Sequence, residues 1–358
     1  MVSRRTASAL VIKQSNIKLF VTNQESDLNT RTVKAVFCLI LLLLSASALA
    51  ANVEPIWVKN SLPFMEGLGL PAPKRSSINP VGVWSITTLG SVQSFANVES
   101  SDADSFILDG EVHKFGAAIE WGFASRWQAS AIVEGINNTA GSLDRIIDRW
   151  HETFGLPDGD RPILGRDQFL FQFSSGELES VNELAESSSG LADIELGLSY
   201  QWLNTKRLNL AVHLAANIPA GDADDLTGSD DLDVSLSLAA SSTRGLGINW
   251  HANLGVLAIG DDEVFGLATE SVTWFSSAGL HWQPSERWGW TAQLDGRGKV
   301  LESAFQELSD AAFQVAIGGE YSWGSAETGK ALQIYFTEDI SVNRAADFGI
   351  GVNFSFEL

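Results

Sequence analysis

One cysteine, Cys38, is all that 358 residues hold, and it lies in an apolar run near the N-terminus. No disulfide can brace the rest of the chain. Basic residues are scarce too: 23 Lys and Arg stand against 44 Asp and Glu, for a net charge of −21. That balance argues against nucleic acid as a partner, because phosphate recognition needs basic patches. The apolar run around Cys38, about ten residues, is too short for a membrane-spanning helix. No phosphate-cradling glycine loop or nucleotide fingerprint occurs. What is present in quantity is glycine (32), phenylalanine (19) and tryptophan (12). Few charges, many aromatics and many turn formers suit an all-β chain.

The stretch "RTVKAVFCLILLLLSASALA", residues 31–50, has a basic start, an apolar run and the triplet Ala48-Leu49-Ala50. This is the build of a secretory signal peptide cleaved after Ala50, with an uncleaved anchor as the alternative. Val36 and Phe37 precede Cys38, where a lipidated cysteine needs a small residue, so a lipoprotein is not expected. Residues 1–30 are polar and aperiodic. They fit a translation start later than Met1, at Val33, or an extended basic region of the signal. Residues 51–80, rich in Pro, Gly and Ser, read as an irregular periplasmic segment.

From Val81 to Leu358 the sequence alternates. In 192–202, Ile194, Leu196, Leu198, Tyr200 and Trp202 oppose Glu195, Gly197, Ser199 and Gln201. In 247–257, Ile248, Trp250, Leu254 and Val256 oppose Asn249, His251 and Asn253. Strands of this length with one apolar face match a tilted bilayer crossing. Twelve are expected: 82–94, 106–123, 127–135, 192–202, 208–218, 231–240, 247–257, 271–283, 288–297, 311–323, 330–340 and 347–358. "DQFLFQFSS", 167–175, is placed outside this count, as an extension above the membrane within the long 135–190 excursion. An even count leaves both ends of the barrel on the periplasmic side. The expected fold is therefore an all-β transmembrane antiparallel β-barrel over 81–358.

Two patterns favour that barrel over a soluble sandwich. Short connections alternate with long acidic ones, and aromatics gather beside the short turns. Trp121, Trp127, Trp202, Trp282, Trp288, Tyr321 and Trp323 form a candidate girdle at one membrane interface. The closing strand, with Phe354, Phe356 and Leu358 in phase, has the form of a signal to the barrel-assembly machinery. One segment breaks the β pattern. Leu143, Ile146, Ile147, Trp150 and Phe154 recur at helical spacing, with Ser142 to cap the start and Gly155 to end it. This helix sits in a long extracellular loop. The expectation is a lid over the barrel mouth, with a rim-packing element as the alternative.

Several stretches carry a resemblance to a bacterial family of unknown function, family 3187. They are "PIWVKNSLPFMEGLGLP", "LDGEVHKF", the helix followed by "FGLPDG" and "RDQF", and "IPAGDADDLTGSDDLDVSLSL". The resemblance covers most of 54–358. The resemblance implies an outer-membrane barrel without an established activity. The last stretch is also similar to a loop in barrels linked by gene context to aromatic-compound degradation.

The face opposite the apolar one should line the lumen. It carries Glu120, Glu134, Glu195, Asp233, Asp295, Glu320 and Asp339 against Lys114 and Arg297. Such a lumen favours cations or neutral solutes; polar ladders plugging a narrow barrel are the alternative. His213, His251 and His281 share this face but lack metal-ligand spacing. No His-x-Ser pair lies on a lipid-facing phase, so a membrane lipid hydrolase has no geometric support. "GDADDLTGSDDLD", 221–233, does not follow EF-hand spacing and reads as a solvated loop. Neither cofactor nor metal is expected. The expected function is a channel or facilitator for a small neutral or cationic solute in the outer membrane of a Gram-negative bacterium. Its expected surroundings are membrane lipid and lipopolysaccharide. The rivals are a non-conducting barrel whose outer loops bind a partner and, more remotely, a lipase-like barrel enzyme.

Overall fold

The computed structural model describes residues 54–358 apart from 156–158, 177–179, 243–244, 325–328 and 342. The expected signal peptide with Cys38, and residues 1–30, lie outside the described residues. Seventeen strands follow in chain order: β1 (Trp84–Ser100), β2 (Asp104–Ala124), β3 (Trp127–Thr139), β4 (Leu170–Ser175), β5 (Ser180–Leu184), β6 (Ser188–Leu191), β7 (Ile194–Asn204), β8 (Leu208–Ile218), β9 (Asp233–Ser242), β10 (Gly247–Ala258), β11 (Glu263–Val264), β12 (Leu267–Ala268), β13 (Val272–Gln283), β14 (Trp288–Arg297), β15 (Ala312–Trp323), β16 (Lys330–Asp339) and β17 (Phe348–Glu357).

Twelve of them close a ring: β1, β2, β3, β7, β8, β9, β10, β13 to β17, and back to β1, with every neighbouring pair antiparallel. The backbones of Trp84 and Leu358 bond each other in both directions, so the last residue seals the first strand. Closure leaves no strand edge in the ring, which is what a sheet needs where water is absent. Strands β11 and β12 form a separate small hairpin. The 167–175 stretch supplies β4, which pairs with Asp104–Asp109 on the far end of β2 and stays outside the ring. Strand β6 extends the far end of β3 in the same way.

Alternation runs inside out. On β10, Ile248, Trp250, Leu254 and Val256 are exposed on the outer surface, while Asn249, His251 and Asn253 are buried within. Apolar side chains outward and polar ones inward is stable only when the outer solvent is hydrocarbon. Among the described residues no helix is long and apolar enough to cross a membrane; the strands do that work. Aromatic pairs ring the short-turn end: Trp84–Trp121 at 5.2 Å, Trp127–Tyr200 at 4.8 Å, Trp288–Tyr321 at 4.8 Å and Trp323–Phe354 at 5.9 Å. Trp202 and Trp282 stand exposed on the same outer face, and Trp323 is covered by its stacked neighbours.

The segment read from sequence as periplasmic takes a different place. Residues 54–80 are irregular, as expected, but they run inside the barrel. Ile56, Leu62, Phe64, Met65 and Leu68 are buried. The physical reason is complementarity: the segment offers cations, amides and backbone donors that match the polar wall.

Helix α1 (Asp144–Phe154) also departs from expectation. Gly155 ends it in the left-handed region at φ 68°, a conformation that favours glycine. Ser142 makes no side-chain cap; instead Glu111 Oε1 on β2 accepts the N–H groups of Ser142 (2.7 Å) and Leu143 (2.6 Å). Ile147 and His151 are buried, whereas Ile146 is 56% and Phe154 61% exposed. Trp150 packs on Phe336 at 5.6 Å and Phe348 at 6.2 Å. Both rings alternate with the buried lumen residues of β16 and β17 and so face outward. The helix therefore lies on the outer wall and is not a lid. The cause is the length of β1 and β2, 17 and 21 residues, whose far ends present polar outward groups that need cover. Arg161 completes it, reaching Asp144 (2.9 Å), Ser94 (2.8 Å) and Asp347 (3.3 Å). Burial pushes the Asp347 carboxyl up to about 6, although the Arg161 guanidinium beside it pulls the other way. Replacing Trp150 and Phe154 with alanine should leave bilayer conductance unchanged while speeding amide exchange over 144–154.

Candidate functional site in the barrel lumen

The N-terminal segment enters from the short-turn end, turns at the long-loop end and returns. On the outward limb, Ile56 donates its N–H to Gln293 Oε1 (2.8 Å), and Gln293 Nε2 returns a bond to Ile56 O (3.0 Å). Asn60 Nδ2 donates to the carbonyls of Asp295 (3.4 Å) and Ala312 (3.1 Å). On the return limb, Lys74 N–H meets Asn253 (3.0 Å), Ser76 meets Ser241 (2.6 Å), Ile78 N–H meets Gln201 (3.0 Å) and Asn79 N–H meets Gln128 (2.8 Å). Backbone groups that would otherwise be orphaned are satisfied by wall side chains.

The cations of the segment pair with three of the seven lumen carboxylates. Lys59 pairs with Glu134 (3.2 Å), Lys74 with Glu195 (2.5 Å), and Arg75 with Glu54 (3.2 Å) and Glu120. Lys114 of the wall pairs with Glu66 of the segment (2.5 Å), whose other oxygen accepts from Ser61 (2.7 Å). Buried charges survive only when matched in this way.

The tip of the segment joins an apolar core at the long-loop end. Leu62, Phe64, Met65, Leu68 and Leu70 pack with Phe95, Phe106, Leu108, Val264, Leu267, Leu301, Phe305 and Leu308. Here two stretches singled out in the sequence meet. Gly69 N–H donates to Asp233 Oδ2 (2.6 Å), and Asn217 Nδ2 donates to Gly67 O (3.4 Å). A Cβ on Gly67 would sit 2.1 Å from the carbonyl oxygen of Gly228, so only glycine admits this approach. The acidic 219–230 loop is organised by Asp193, a residue that sequence reasoning missed. Its carboxylate accepts the N–H groups of Ala220, Gly221 and Ser229, each at 2.9 Å, and the Ser229 hydroxyl at 2.7 Å.

The remaining sequence candidates lie on the inner face without converging. His213 bonds Ser199 (2.7 Å), His251 donates to Gln293 (2.9 Å), and His281 reaches Thr291 (2.9 Å) and Gln283 (2.7 Å). Among the described residues no group of three His, Asp or Glu is placed to hold a metal ion. Asp295 accepts from Gln293 (3.0 Å), Glu320 from Ser322 (2.8 Å), and Asp339 from Asn343 N–H (2.7 Å). Arg297 is fully buried and donates to three backbone carbonyls, those of Gly298, Asp310 and Arg344.

A sequence family of unknown function, DUF3187, matches residues 32–358. The chain belongs to this family. No curated protein matches the sequence. Among solved structures, the barrel of this DUF3187 chain is similar to the COG4313 outer membrane channel from Pseudomonas putida. The TM-score is 0.52 at 12% identity, covering 80% of this chain and 99% of that one. Lower similarity extends to the NanC porin, with a TM-score of 0.43, 6% identity, and 76% and 98% coverage. For the CymD monoaromatic hydrocarbon channel the TM-score is 0.39, with 10% identity and 85% and 98% coverage. At 12% identity the likeness to the COG4313 channel shows the fold, that of an outer-membrane β-barrel.

Proposed function

We propose that this DUF3187 protein is an outer-membrane channel for a small solute, held closed by its own N-terminal segment. The signal peptide ending near Ala50 would deliver it to the periplasm, and the C-terminal strand would present it to the assembly machinery. The short-turn end then faces the periplasm and the long loops face outward. The observation that carries this reading is the mode of attachment. Both limbs of the segment start at the same end of the barrel, and hydrogen bonds and ion pairs hold them to the wall. Such contacts exchange for water, so the segment can leave without opening the ring. The rival, a non-conducting barrel that binds a partner through its loops, draws support from the apolar core that seals the far mouth. In a planar bilayer the whole chain should be closed for most of the time and show stepwise openings. A barrel that stays sealed both with and without residues 54–79 overturns the channel.

A further inference from the structure

The segment does not fill the lumen evenly. Its hydrogen bonds to the wall run mainly to β3, β7, β8, β9, β10, β14 and β15. On the opposite side it is held by the Tyr335 hydroxyl of β16, which donates to Trp57 O (2.8 Å), and at the short-turn end by Arg75 and Asn79 on Ser85 and Glu120. Along the β16–β17–β1–β2 side a gap remains. At the short-turn end it is a cavity of ≈ 90 Å³ lined by Trp57, Arg75, Thr87, Gln333, Asn353 and Ser355, among others. Further in it narrows to ≈ 20 Å³ between Trp57, Leu89, Gln93, Tyr335, Thr337 and Asn353. Trp57 and Asn353 border both cavities, which places them end to end. The narrow part has room for about one water.

Two observations say what this gap would take. First, Trp57 Nε1, Gln93 Nε2 and Thr337 Oγ1 are buried and have no hydrogen-bond partner. Gln93 is 3% and Thr337 1% exposed. Buried polar atoms of native proteins are rarely left so, and a cluster of them around one cavity marks a place for a ligand's polar atoms. Second, the charged groups that line the narrow part, Lys59, Lys114 and Glu134, are each already paired, Lys59 with Glu134 and Lys114 with Glu66. A charged solute would find no free counter-charge among them and would enter at a desolvation cost.

Resting on the channel reading, we infer that this off-axis gap is the solute's route and that it selects an uncharged solute bearing hydroxyl or carbonyl oxygens. Those oxygens accept from Trp57 Nε1–H and Gln93 Nε2–H, and the Thr337 hydroxyl donates or accepts. The apolar side of the solute lies on the Trp57 ring and Leu89. Entry of anything larger than water requires the limb carrying Trp57 to move off the wall.

Accessibility of single cysteines tests this without relying on conduction. In a Cys38→Ser background, Thr337→Cys sits in the gap. Thr291→Cys sits on the inner face of β14 and borders neither cavity. Both replacements are small and leave the ring intact, which heat-modifiable gel mobility checks. Each variant is treated with thiosulfonates carrying a neutral hydroxyethyl, a trimethylammonium or a sulfonate group. At Thr337→Cys the hydroxyethyl reagent should react about tenfold or more faster than either charged reagent, since an unpaired charge resists desolvation. It should also react about tenfold faster there than at Thr291→Cys, because access controls thiol exchange. Equal rates for the three reagents overturn the selection for neutral solutes. Equal rates at the two positions, or none at Thr337→Cys, overturn the route. Failure of the channel itself is read separately, as a permanent seal in the bilayer.

Discussion

Deleting residues 54–79 should convert a sealed barrel into one with a steady, cation-selective current. The ring does not need the segment, because each of its twelve strand pairs is made by wall backbone alone and Trp84 and Leu358 close it. Eight-stranded barrels are filled by their own side chains, and sixteen-stranded ones hold an aqueous channel; twelve strands lie between, with space that the segment occupies here. Time-averaged current should rise by about tenfold or more on emptying that space. Its selectivity follows from what the segment takes away. Lys59, Lys74 and Arg75 go, leaving Glu120, Glu134, Glu195, Asp233, Asp295, Glu320 and Asp339 on the wall against Lys114 and Arg297. In a salt gradient the reversal potential should move toward that of the cation. The acidic lumen expected from sequence is thus fullest in the emptied barrel, whereas in the intact one Glu120, Glu134 and Glu195 are paired from within. A current without cation preference would mean that the wall carboxylates do not face the path. A seal that persists after the deletion would overturn the channel and favour a barrel closed for good by the loops that supply Val264, Leu267, Phe305 and Leu308 to the far core.

The ring itself was legible because two independent periodicities agreed. Alternation located each ring strand, and the succession of short and long connections fixed the count and the sense of each strand. The expected strands 82–94 and 127–135 stop short of the far ends of β1 (Ser100) and β3 (Thr139), which stand with β2 beyond the membrane. Past the membrane their outward residues are polar and covered by other protein: Ser94 by Arg161, and Glu111 by the start of helix α1. The same cause misplaced the helix. Its spacing predicted one face through Ile146, Ile147, Trp150 and Phe154, but the wall it meets pairs Ile147 with His151 and leaves Ile146 and Phe154 outside. The course of residues 54–80 could not be read from periodicity, since an irregular strand pinned by scattered side chains has none. A usable signal did exist in charge. Seven lumen carboxylates faced two wall cations, while Lys59, Lys74 and Arg75 stood unassigned on the preceding segment. Buried carboxylates require partners, and that requirement pointed inward. Asp193 gave no signal, because it sits between strands and acts through backbone donors of a loop 27 or more residues away.

Replacing Lys114 with methionine should release the segment from inside the barrel while leaving the ring folded. Lys114 and Glu66 face each other at 2.5 Å, with side chains 6% and 1% exposed. Methionine keeps much of the volume but strands the Glu66 carboxylate among Leu62, Phe64, Met65 and Leu68. Ser61 supplies one hydrogen bond and no charge, and Lys59, the other cation near Glu66, is already paired with Glu134. Removing one partner of a buried ion pair costs roughly 3–5 kcal/mol. That cost falls on the closed state alone, because a withdrawn segment exposes Glu66 to water. At about 1.4 kcal/mol per factor of ten, the ratio of open to closed barrels should rise on the order of 10²–10³-fold. Open probability in the bilayer reads it directly, and cleavage of the segment by added protease reads it independently. The double variant Lys114→Met, Glu66→Gln removes both charges and should restore most of the closure, since a neutral amide buried beside Ser61 costs far less than an unpaired charge. If the single variant opens no more often than the double, the ion pair does not hold the segment in place. Closure would then rest on the apolar tip, and Phe64→Ala, which empties a fully buried site in that core, should open the barrel where Lys114→Met does not.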